Sequence, residues 1–97
     1  MLHLITDASL SPALVDRIVR DDDVILEGAA VWAAFKGHRD NPLLLQLLRC
    51  DCCVYALQDA LSVSGIAEES LLEGVRAIDY PDFVELTVKN SVIHTWC

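Results

Sequence analysis

The chain has 97 residues, 54% of them hydrophobic, with 15 acidic against 7 basic side chains and a net charge of −8. That length bounds it at one domain, spanning residues 1–97. So large an apolar share exceeds what a small core buries, so part of it is expected to face another chain. Nucleic-acid binders need clustered Lys and Arg to displace phosphate counterions. Here Arg17, Arg20, Lys36, Arg39, Arg49, Arg76 and Lys89 are scattered among carboxylates, which argues against direct binding to DNA, RNA or an anionic membrane.

In chain order, Leu2–Ile5 is a short apolar run and reads as a first strand. Ser11-Pro12 starts a helix, since Ser caps and Pro suits the first helical position. Leu14 with Ile18 and Val15 with Val19 carry that helix on, and Asp21, Asp22 and Asp23 end it in a turn. Val24-Ile25-Leu26 is a second strand, and Ala29 to Lys36 reads as a helix that stops near Gly37. Asn41-Pro42 opens another, continued by Leu43, Leu44, Leu47 and Leu48. Cys53 to Leu57 reads as a buried strand, and Asp59 to Ser64 as a short helix with Gly65 as its stop. After a polar connection, Val75 to Asp79 forms a strand, a helix begins near Pro81, and Ser91 to Trp96 forms a last short strand.

Strand and helix in alternation mark a parallel sheet covered on both faces. The expected fold is α/β: a small three-layer α/β/α sandwich with a mostly parallel sheet of four to five strands. No basic segment precedes an apolar leader, and Lys36, Arg49 and Asp51 break the apolar stretches short of a membrane span. A cytoplasmic protein with reduced cysteines is expected.

Chemistry is sparse. No G-x-G-x-x-G or Walker loop is present, so no nucleotide cofactor is expected. Cys50-Asp51-Cys52-Cys53 has C-x-C-C spacing with no matching pair elsewhere, which fits small buried thiols better than a zinc site. A nucleophilic thiol needs a lowered pKa. Arg49 is opposed by Asp51, and Cys50 lies at the helix end that disfavours a thiolate. No catalytic residue is assigned; Cys52, Cys53 and Cys97 are the thiols that an alternative, sulfur-carrying role would use. His3 reads as a satisfied core residue, His38 as a loop residue and His94 as an interface residue. Trp32 reads as core, Trp96 as an edge or interface residue, and most of the carboxylates as solvated faces or helix caps.

The segment Ile78-Asp79-Tyr80-Pro81-Asp82-Phe83-Val84-Glu85-Leu86-Thr87-Val88-Lys89 resembles the I-D-Y-x-D-F-V-x-L-T-V-K segment of the TusB/DsrH family, which also carries a Trp near the chain end, as Trp96 does. Met1-Leu2-His3 is similar to the family's opening, and Val54-Tyr55-Ala56-Leu57 with Asp59 and Gly65 to its third strand and following helix. The resemblance implies a fold of the DsrE/DsrF/DsrH superfamily. It also implies a non-catalytic subunit assembled with TusC-like and TusD-like chains in a heterohexamer. Such a complex passes persulfide sulfur from TusA-like to TusE-like proteins for 2-thiouridine at the tRNA wobble position. The indispensable cysteine belongs to the TusD-like chain. Some relatives from sulfur oxidisers carry a cysteine in the first helix; Pro12 to Arg20 has none, which favours the tRNA-type relay. Two alternatives stay open: a thiol-based sulfur carrier or sulfurtransferase, and a small-molecule binding module of flavodoxin-like shape.

Overall fold

The computed structural model describes residues 1–7 and 10–96. Its strands are β1 (Leu2–Ile5), β2 (Asp23–Leu26), β3 (Cys53–Leu57), β4 (Val75–Ile78) and β5 (Ile93–Trp96). The helices are α1 (Pro12–Asp16), α2 (Asn41–Arg49), α3 (Gln58–Ser64) and α4 (Tyr80–Lys89), with 3₁₀ segments at Gly28–Ala34 and Glu68–Ser70. All five strands pair parallel in the order β4-β3-β2-β1-β5. The expected α/β sandwich is therefore present, with five strands.

Strand order decides how the layers divide. From β1 to β4 the chain steps in one direction across the sheet, so right-handed connections put their helices on one face. The step from β4 to β5 returns past β1, and the same handedness puts α4 on the other face. Packing follows this division. Ile5, Val24, Leu26, Val54 and Ala56 join residues of α1, α2, α3 and the 3₁₀ segment in the larger core. Leu2, Ile25 and Ile78 form the smaller one, against Leu4, Tyr55, Leu57 and two α4 residues, Phe83 and Leu86.

Caps behave as the sequence suggested. The Ser11 side chain accepts from the Leu14 amide at 3.2 Å, and Gly65 ends α3 at φ +72°. Three expectations fail. First, α1 stops at Asp16 instead of running through Val19. The Asp22 carboxylate takes the Val19 amide at 3.1 Å, a side-chain bond that competes with helix continuation. Second, Asp22, Asp23 and Asp40 are buried, not solvated.

Third, Trp32 is not core. The helix expected here is 3₁₀, with three residues per turn. Ala30 and Ala33 then form one row, Val31 and Ala34 a second, and all four are buried. Ala29 and Trp32 form the third row, which faces outward, leaving Trp32 38% exposed.

Candidate functional site

Among the described residues, helix α4 is the only helix over its sheet face, and it begins on two local signals. Asp79 caps it by accepting from the Asp82 amide at 3.0 Å, and Pro81 occupies the first turn. Phe83 and Leu86 meet the sheet. At about 100° per residue, Tyr80, Val84 and Val88 fall in a separate row beside them. All three are exposed, as are Val92 and Ile93 after the helix. No residue of α4 is fully buried.

The other flank of α4 is charged. Asp82, Glu85 and Lys89 line a cleft of about 340 Å³ with Tyr55, Arg76, Ile78 and Leu86. That cleft lies over β3 and β4. Since the two flanks lie on opposite sides of the seam, the Tyr80–Val84–Val88 row faces the β1/β5 side. Ile93 lies on this sheet face, in register with Leu2. Tyr80, Val84 and Val88 on α4 and Ile93 on the edge strand are thus exposed apolar residues of the kind that contacts between subunits remove from water.

Two buried aspartates organise the sheet, Asp23 on the α4 face and Asp22 on the opposite one. The Asp23 Oδ2 atom accepts from Lys89 Nζ at 3.2 Å and from Asn90 Nδ2 at 3.0 Å, tying the end of α4 to the sheet. Its Oδ1 atom is buried with no partner among the described residues. Asp22 Oδ2 lies 2.9 Å from His3 Nε2, and Asp22 Oδ1 accepts from the Met1 ammonium at 3.3 Å. Burial alone would raise the Asp22 carboxyl. The bonds from His3 and the Val19 amide, together with the Met1 ammonium, outweigh it and hold the group below its ordinary value.

The network continues to the edge strand. The Trp96 indole N–H donates to His3 Nδ1 at 3.1 Å. An accepting Nδ1 carries no proton, so the ring proton sits on Nε2 and is donated to Asp22. The Arg17 guanidinium lies 5.9 Å from the Trp96 ring centre, and His94 lies 4.2 Å from it. Thr6 completes the attachment of β5, its amide and hydroxyl both donating to the Trp96 carbonyl at 3.1 Å.

His3 is thus buried and bonded, as its place in β1 suggested. It sits 6.5 Å from His94, a pairing invisible in sequence because it depends on β5 lying beside β1. Trp96 is half-buried on the edge strand. His38 accepts the Asp40 amide at Nδ1.

The clustered cysteines occupy different environments. Cys52 is buried, and its thiol donates to the Val19 carbonyl at 3.2 Å. Burial first, then the nearby Asp22, Cys50 and Cys53, push it up to about 11, so it is a thiol at neutral pH. Cys53 is exposed on the α4 face, in register with Asp23. Burial, Cys53 and Asp23 push the Tyr55 phenol up to about 12 against the pull of Arg76. Cys50 is exposed at the end of α2. Cys97 lies outside the described residues. Among the described residues no three His, Cys, Asp or Glu side chains group to hold a metal ion. No described helix is long and apolar enough to cross a membrane.

The fold is shared with the protein of unknown function MTH1491 from Methanobacterium thermoautotrophicum, at 18% identity and a TM-score of 0.78 over 98% of this chain and 96% of that one. The ychN protein from E. coli superposes as well, at 16% identity and a TM-score of 0.79, covering 98% and 97% of the two chains. In sequence the chain is 36% identical over 84 residues to Protein TusB of Shigella flexneri, covering 87% of this chain and 84% of that protein. It is 33% identical over 79 residues to Protein TusB of Photorhabdus laumondii, covering 81% and 79%. A third, Protein TusB of Salmonella dublin, is 31% identical over 99% of this chain and all of its own length. The family described as DsrH like protein matches residues 7–93. The chain belongs to the DsrH-like family.

Proposed function

We propose that this chain is a cytoplasmic, non-catalytic subunit of a TusBCD-type heterohexamer, bound to TusC-like and TusD-like chains. Family membership supports a TusB/DsrH sulfur-relay role in tRNA thiolation. The observation that carries the proposal is the exposed apolar row Tyr80–Val84–Val88, with Ile93 also exposed, on a sheet face that among the described residues one helix covers. Subunit contacts bury such rows, and interfaces of stable complexes are built around them. Sulfur arrives on TusA-like protein and leaves on TusE-like protein through the complex, while this chain supports the TusD-like thiol.

Co-expression with the TusC-like and TusD-like chains of the same organism, followed by native mass spectrometry, tests it. A complex with two copies of each chain is expected. Val84→Asp with Val88→Asp should lose it while the isolated chain stays folded, since both side chains point to solvent. A chain that remains alone beside both partners overturns the proposal.

A second reading has one observation in its favour, the exposure of Cys53 on the same open face. In it the Cys53 thiolate attacks the outer sulfur of a donor persulfide, gaining that sulfur and releasing the donor as a thiolate. Mass spectrometry after treatment with a persulfide donor separates the two. A gain of one sulfur on Cys53 supports this reading, and sulfur found only on a partner chain rules it out.

A further inference from the structure

The face opposite α4 carries a second exposed surface. It is a groove of about 440 Å³ between the 3₁₀ segment Gly28–Ala34 and helix α3, lined by Gly28, Ala29, Trp32, Asp59, Ala60, Val63 and Ser64. The two secondary structures build its walls by their own periods. In the 3₁₀ segment Ala29 and Trp32, three apart, stand above one another. In α3 the pairs Asp59–Val63 and Ala60–Ser64, four apart, do the same. A seven-residue 3₁₀ run is long for this geometry. Its consequence here is an aromatic ring turned outward. Trp32 is 38% exposed and Val63 is 90% exposed.

The polarity of the groove indicates what fits it. Among its lining residues Asp59 alone is charged, and none is basic. Among the described residues Asp59 makes no ion pair. The groove is open and offers few directional polar groups, unlike a small-molecule site, which encloses its ligand and fixes it with several. An indole face beside an unpaired carboxylate suits a cation that has an apolar neighbour. A chain of net charge −8 adds long-range attraction for the same kind of partner.

We propose that this groove docks a segment of another protein that sets a basic side chain between Trp32 and Asp59 and an apolar one against Ala60 and Val63. The site lies across the sheet from the α4 row. The inference is independent of the assembly reading.

The test is an NMR titration of the ¹⁵N-labelled full-length chain with acetyl-Leu-Arg-Leu-amide, and with the same peptide carrying Gln or Glu at its centre. Saturable shifts at the Trp32 indole N–H and the Ala60 and Val63 amides are expected with the Arg peptide, with weaker effects from Gln and none from Glu. Asp59→Asn should weaken binding about threefold, the scale of one exposed charge pair. Val63→Lys, at a site open to solvent, should abolish it; the same spectra report that each variant is folded. The proposal is overturned if the three peptides act alike, if Asp59→Asn binds as the parent does, or if shifts are absent or confined to α4.

Discussion

Replacing Asp22 with alanine removes a carboxylate on which three donors converge. The His3 Nε2 proton at 2.9 Å is the most costly to strand, because His3 is only 1% exposed. A buried donor left unpaired costs about 1–3 kcal/mol. The Val19 amide, bonded at 3.1 Å, adds about 1 kcal/mol. The Met1 ammonium at 3.3 Å is partly open to water, and its pair contributes about 0–1 kcal/mol. The expected loss is about 3 kcal/mol, against a total of about 5–15 kcal/mol for a domain. Urea unfolding followed by tryptophan fluorescence reads it. With a slope of about 1–1.5 kcal/mol per molar, the midpoint should fall by about 2–3 M.

Asp22→Asn keeps one acceptor oxygen and should lose about half as much. The pH dependence has a definite sign. The folded carboxyl lies below its ordinary value, so its contribution is complete above the unfolded value and fades as pH falls through the folded one. The parent should therefore lose, on acidification below about pH 4, an advantage over Asp22→Asn that it holds at neutrality. An Asp22→Ala chain within about 0.5 kcal/mol of the parent would refute the reasoning, because the stranded His3 proton alone exceeds that.

Other expectations follow from single contacts. With Ellman's reagent at pH 7.5, peptide mapping should find Cys50 and Cys53 modified and Cys52 spared; Cys52 labelling should rise toward pH 11, and equal rates at neutrality would contradict its burial. Asp79→Ala should cost about 1 kcal/mol by losing the cap on α4, seen as a lower urea midpoint. Gly74→Ala should cost about 1–2 kcal/mol, because φ is +99° and the new Cβ would lie 3.2 Å from Leu48 Cδ1; an unchanged melting temperature would count against the strain.

Element order, the parallel sheet and most helix starts were legible in the sequence because their causes are local. Ser11-Pro12, Asn41-Pro42 and Pro81 each mark a helix start within a few residues, and the apolar runs Leu2–Ile5 and Val24–Leu26 state buried strands. The apolar excess also pointed to a surface shared with another chain. That α4 carries an exposed apolar row emerged only when Phe83 and Leu86 were seen to take the sheet, leaving Tyr80, Val84 and Val88 outside.

What the sequence left undetermined depends on partners distant along the chain. Three consecutive aspartates look like a solvated turn. Two of them are buried because tertiary structure brings His3, Met1, Lys89 and Asn90 to their oxygens. Strand order had the same status. Once β5 is placed beside β1, residues 93 apart in sequence come within a hydrogen bond of each other, as Trp96 and His3 do. Trp32 turned outward for a related reason: three residues per turn instead of 3.6 rotates one row of side chains off the core. Hydrophobic periodicity specifies which face an element buries once its period is known. The packing around an element selects that period, and it selects which distant side chain pairs with a buried charge.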